Sequence, residues 1–174
     1  MSTLIVYATI EGQTGKIAQF VKNEIEKLGE DTETVDANDP LAETSYNGID
    51  RVILAAPVHE RRHPKRFEVL VASDQEKLNG LPTLFLSVSL SAAFAEGLEE
   101  ADDYATEMEM RTGFKPSSRL LVAGAIRNSQ YDYYASQVLR HIVFRGREVD
   151  TSQSEHEFTD WGGISAAVAD FLKR

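Results

Sequence analysis

The apolar run Leu4-Ile5-Val6-Tyr7-Ala8 stops at Thr9-Ile10-Glu11-Gly12-Gln13-Thr14, and a helix-periodic segment begins with no linker between them. A strand feeding a helix through so short a turn leaves several backbone N–H groups pointing into one space at the positive end of the helix. A phosphate monoester fits that space. Thr9 and Thr14 add hydroxyl donors at its rim, Gln13 adds an amide, and Gly12 lets the backbone approach without a Cβ in the way. The turn carries no GK[ST] and lacks the three spaced glycines of a dinucleotide fingerprint, so neither a P-loop nor that fingerprint applies. The plain alternative is an ordinary strand-to-helix turn with Thr14 as N-cap.

The 174 residues, 42% of them hydrophobic, suit one domain spanning 1–174 with an ample core. Cysteine is absent, which excludes disulfides, thiolate metal sites and thiol catalysis, and no metal site is expected. No stretch approaches the ~20 apolar residues needed to span a bilayer, and the N-terminus lacks a basic region followed by a long apolar run. The expected location is cytoplasmic, peripheral to the inner membrane at most. A net charge of −10 opposes nonspecific binding to nucleic acid and to anionic lipid.

Strand-like and helix-periodic segments alternate along the chain, the pattern of a parallel sheet covered by helices on both faces. Strands are expected at about 3–8, 32–35, 51–56, 83–88 and 119–125. The third, Arg51-Val52-Ile53-Leu54-Ala55-Ala56, is continuously apolar and therefore central, and Pro57 ends it. Helices are expected at about 14–28, ending at Gly29; at 64–73; at 92–112, ending at Gly113; and at 161–172. Between the fifth strand and the last helix the rhythm breaks. A helical pattern near 132–144 and a polar stretch from Gly146 to Ser154 read as an insertion, followed by a short Glu157-Phe158 segment. Five strands with a phosphate turn after the first suit a flavodoxin-like three-layer α/β sandwich, whose ligand sits at the carboxyl ends of the strands. The loops after the third and fourth strands then flank a bound ring system.

The segment Thr9 to Thr14, with Lys16-Ile17-Ala18, resembles the FMN-phosphate loop of flavodoxins. Ser87-Val88-Ser89-Leu90, Gly124-Ala125-Ile126-Arg127 and Thr159-Asp160-Trp161 extend the likeness over nearly the full length, and the chain as a whole resembles the bacterial menaquinone-dependent protoporphyrinogen dehydrogenases. The resemblance implies FMN as cofactor, with its phosphate on Thr9, Glu11, Gly12, Gln13 and Thr14. Glu11 contributes its backbone N–H, since its carboxylate repels a phosphate. The ring is expected between Pro57-Val58-His59-Glu60-Arg61 and Ser87-Val88-Ser89-Leu90-Ser91. It further implies hydride transfer from a reduced organic substrate and reoxidation by a quinone or a redox-partner protein. A flavodoxin-type electron carrier is the competing class, and a flavin-binding regulatory module is a third.

No acid–base pair stands out; His59, Arg61, Arg62 and His63 are candidates by position alone. The third-strand loop is basic, with His59, Arg61, Arg62, His63, Lys65 and Arg66 within eight residues. Such an edge stabilises a reduced, anionic flavin and receives a carboxylate; the plain alternative is a solvated helix start whose cations balance nearby acids. The segment from Glu96 to Glu109 is acidic where the resembled family is basic, and Glu99, Asp103 and Glu107 fall on one helical face. That face is either solvated surface or a docking patch for a basic redox partner. The insertion's aromatics, Tyr131, Tyr133, Tyr134 and Phe144, are suited to covering the flavin, binding an apolar quinone or filling a core. In flavodoxins a backbone carbonyl after the third strand turns toward the flavin on one-electron reduction, usually at a glycine. No glycine lies between Gly48 and Gly80, so reduction in one two-electron step is expected.

Overall fold

Alternate residues of the central strands point to opposite faces, and here both sets are apolar, which forces a layer of helices onto each side. The computed structural model describes residues 1–127 and 155–174. Strands β1 (Ser2–Tyr7), β2 (Asp31–Asp36), β3 (Arg51–Pro57), β4 (Thr83–Ser89) and β5 (Ser118–Ala123) form one parallel sheet in the order β2-β1-β3-β4-β5. This is the flavodoxin-like order expected from the sequence.

On one face Leu4, Val6, Val52, Leu54 and Phe85 pack under α2 (Lys65–Ser73), α3 (Gln75–Asn79) and α4 (Leu98–Thr112) through Phe67, Val71, Leu78, Ala105 and Met108. On the other, Ile5, Ile53, Leu84 and Leu86 meet Ile17, Val21 and Ile25 of α1 (Gln13–Lys27), and Ile164, Val168 and Phe171 of α5 (Trp161–Leu172). The edge strand β2 reads Asp-Thr-Glu-Thr-Val-Asp, and its charges discourage pairing with another chain. Asp160 caps α5 by accepting from the Gly163 N–H at 2.9 Å.

Three expectations are corrected. The helix assigned to 92–112 begins only at Leu98, because residues 91–97 fold into two 3₁₀ turns. Gly97 permits them: a Cβ there would lie 2.2 Å from the Ser91 carbonyl oxygen. The fifth strand stops at Ala123, where the Gly124 N–H makes the last ladder bond, to Ser89 O at 3.1 Å. Ala125–Arg127 (β6) then pairs antiparallel with Glu155–Glu157 (β7) in a separate two-stranded sheet. Finally, α3 occupies a stretch where no helix was expected. The helix expected near 132–144 lies outside the described residues. No helix among the described residues is long and apolar enough to cross a membrane.

Candidate functional site

Residues 8–12 carry the chain from β1 into α1, and their shape depends on Gly12. At φ 94° and ψ −14° it sits in the left-handed region as the residue before α1, and no side chain caps the helix. Thr9 Oγ1 accepts from the Gly12 N–H at 3.0 Å, and Thr9 O accepts from Asn38 Nδ2 at 2.7 Å, which pins the loop to the end of β2. The first turn of α1, Gln13 to Lys16, holds no acidic residue, so its N–H groups and dipole face the loop without a competing carboxylate. Thr14 and Gln13 are buried, while Glu11 is half-buried and Ile10 exposed. Thr14 therefore lies within α1 and is not its N-cap.

Beyond the adjacent strand ends, the two loops expected around a ring lie side by side. Pro57 and Val88 are ladder partners, and the Val58 N–H extends the ladder by bonding Val88 O at 2.7 Å. Ser87, Val88 and Ser89 are buried; Ser89 Oγ accepts from the Ala92 N–H, and Leu90 starts the first 3₁₀ turn. His59 and Arg62 exchange two backbone hydrogen bonds, of 2.9 and 3.1 Å, around Glu60 (φ 50°) and Arg61 (φ 66°). Positive φ at both central residues makes this a type I′ turn built without glycine or asparagine, a strained choice. It persists because its surroundings over-determine it. Arg62 reaches Glu68 at 2.8 Å, and the Arg61 guanidinium lies 5.6 Å over the Tyr104 ring and 3.4 Å from Glu100.

The predicted basic edge is divided by this packing. Glu68, buried, takes Arg62 on one oxygen and Arg111 on the other at 2.7 Å. Burial pushes its carboxyl up, and the hydrogen bonds from Arg111 and Arg62 outweigh that and hold it below the usual carboxylate range. Lys65 and Arg66 instead line a cleft of about 970 Å³ between α2 and the 37–44 loop, shared with Asp39 and Asp74. His63 leaves the row altogether. Its Nε2 lies 2.9 Å from Ser87 Oγ, its ring rests 5.4 Å from Phe85, and burial drives its pKa down to about 4, so it is neutral. The acidic helix is likewise divided: Arg119 takes Asp102 and Glu109, whereas Glu99, Asp103 and Glu107 are exposed.

A family profile for the flavodoxin domain matches residues 4–154. The chain belongs to the flavodoxin domain family. It is also 29% identical over 167 residues to the protoporphyrinogen IX dehydrogenase (quinone) of Escherichia coli, covering 95% of this chain and 91% of that one. In fold it matches the oxidised flavodoxin 1 of Bacillus cereus with a TM-score of 0.60 at 16% identity, covering 100% of this chain and 99% of that one. A Fusobacterium nucleatum flavodoxin bound to flavin mononucleotide matches with a TM-score of 0.51 at 12% identity, covering 99% and 95% respectively.

Within this flavodoxin domain the structure adds residues that sequence reading passed over. Asn38 fixes the loop carbonyl of Thr9 and also accepts from Arg66 at its own carbonyl. Thr159, noted in the sequence only as part of a family match, bonds Gln13. Phe94 and Phe158 meet edge to face at 5.6 Å, and His156 stacks on Phe158 at 6.4 Å, which joins the loop after β4 to the base of the β6–β7 pair. The aromatic pair had no signal in local sequence because its members are sixty-four positions apart.

Proposed function

We propose that this flavodoxin domain, taking residues 1–174 as one unit, is an FMN-dependent two-electron oxidoreductase. It draws a hydride from a reduced organic substrate of the protoporphyrinogen IX class and delivers the electrons to a quinone. Full-length similarity to the Escherichia coli enzyme supports the substrate class and the acceptor. The cradle fits the cofactor: an uncapped α1 start, a left-handed Gly12 with no Cβ, and an acid-free first turn suit a dianionic phosphate. Thr9, Glu11, Gly12, Gln13 and Thr14 hold the phosphate end. Pro57, Val58 and His59 on one side and Ser87, Val88, Ser89 and Leu90 on the other border the ring. Bound FMN supplies hydride acceptance and electron delivery. The protein supplies placement, and neutral His63 braces the β3 loop through Ser87 without exchanging protons near neutral pH. A cytoplasmic location, peripheral to the membrane that carries the quinone, belongs to this reading.

The observation that carries an enzyme over a carrier is the I′ turn at 59–62. Reversing the Glu60–Arg61 peptide would convert it to type II′, whose first central position favours glycine, and Glu60 has a Cβ. Anaerobic titration with dithionite is expected to reduce the bound flavin in one two-electron step. Two resolved one-electron steps would favour the second reading, an electron carrier docking a basic partner on the exposed Glu99, Asp103 and Glu107 of α4.

A further inference from the structure

Thr159 stands between two parts of the fold that are distant in sequence. Its hydroxyl donates its single proton to Ala123 O at 2.7 Å, at the carboxyl end of β5. Toward Gln13 it can therefore only accept, and Gln13 Nε2 lies 3.0 Å away. The orientation of the Gln13 carboxamide is thus fixed by chemistry: its nitrogen turns to Thr159. Gln13 is buried and is the first residue of α1, directly after the left-handed Gly12. Two further ties hold the same helix to the same segment. Lys16 Nζ reaches Glu157 at 3.0 Å, with Trp161 Nε1 on the other carboxylate oxygen at 2.6 Å, and the Trp161 ring packs on Phe20 at 4.9 Å. The Lys16 pair is solvent-exposed and weak. The Gln13–Thr159–Ala123 relay is partly buried, and Gln13 at the start of α1 also hydrogen-bonds Glu157.

We infer that Thr159 is a positioning residue for the cofactor phosphate, holding Gln13 so that the first-turn N–H groups of α1 converge on one anion. This rests on the proposed FMN site, and it makes discrimination between FMN and riboflavin depend on a residue that lies outside the phosphate loop. A merely structural Thr159 would alter both affinities alike, because the relay would then stabilise the domain and not the cradle.

The test measures FMN and riboflavin dissociation constants by flavin fluorescence for the full chain, for Thr159→Val and for Thr159→Ser. Valine removes the hydroxyl at equal volume. It is expected to weaken FMN about tenfold, the scale of one lost hydrogen bond in a charged site, and riboflavin less than twofold. Serine keeps the relay and should restore FMN affinity. The double variant Gln13→Ala, Thr159→Val should lose no more than Gln13→Ala alone, because Thr159 acts on the phosphate through Gln13. Thr159→Ala replaces the valine variant if the latter does not fold. Equal weakening of both flavins, or no weakening of FMN, overturns the inference while leaving the FMN reading intact. Failure of the unaltered chain to prefer FMN over riboflavin overturns the phosphate site itself, and the inference with it.

Discussion

Replacing His63 with Gln is expected to flatten the acid limb of the stability curve. His63 is 2% exposed, packed against Phe85 and Ser87. Burial is the largest influence on its pKa; Glu68 raises the pKa and Arg111 lowers it, and the result is about 4 against an ordinary 6.5. A base whose folded pKa is depressed binds its proton more readily when unfolded. Its contribution to stability is complete above pH 6.5 and is lost progressively as pH falls toward 4. The interval corresponds to about 3 kcal/mol. Glu68 also loses its two arginine partners on acidification, so the comparison must be with the variant and not with theory. Urea unfolding at pH 7 and pH 4 should show the unaltered protein losing about 3 kcal/mol more than His63→Gln. Parallel losses would mean that His63 is solvated in solution.

Gly12→Ala tests the other end of the site. At φ 94° alanine carries the left-handed penalty, about 1–2 kcal/mol. Relief of that strain moves the turn, and with it the amides proposed to converge on the phosphate. Loss of two hydrogen bonds to a dianion costs about 3 kcal/mol or more, so FMN should bind at least about a hundredfold more weakly. Riboflavin, which lacks the phosphate, should change far less. A variant with lowered thermal stability and intact FMN affinity would make Gly12 a turn residue only.

The frame of the fold was open to sequence reading because its signals are local. Continuous apolar runs marked β1, β3 and β4; Gly29 and Gly113, both at positive φ, stood just past two helices; and the last helix runs from Trp161 to Leu172 as the periodicity predicts. The missed features depend on particular tertiary contacts, some of them between distant segments. Gly97 looks like an ordinary residue of a helical pattern until Ser91 O is found beneath it. Beyond Gly124 the chain turns out of β5 because Ala125–Arg127 pair with Glu155–Glu157, thirty residues further on. His63 reads as one more cation in a basic row, yet the two-residue turn before it returns the chain to the sheet and delivers the ring to Ser87. Arg62 likewise reads as a free positive charge, because the carboxylate that takes it also serves Arg111, from a different helix. The turn at Thr9 and Gly12 was legible; Asn38 and Thr159, which bond Thr9 O and Gln13 on either side of it, were not.

The central claim is that the FMN-loaded protein turns over a reduced porphyrin at the expense of a quinone. The measurement is the growth of porphyrin fluorescence under anaerobic conditions, with the FMN-loaded protein, protoporphyrinogen IX and a soluble menaquinone analogue. Continuous turnover is expected only when protein, FMN and quinone are all present, and it should stop when the quinone is exhausted. A protein that binds FMN tightly, exchanges electrons with a basic redox partner and produces no porphyrin above the rate without protein would contradict the account.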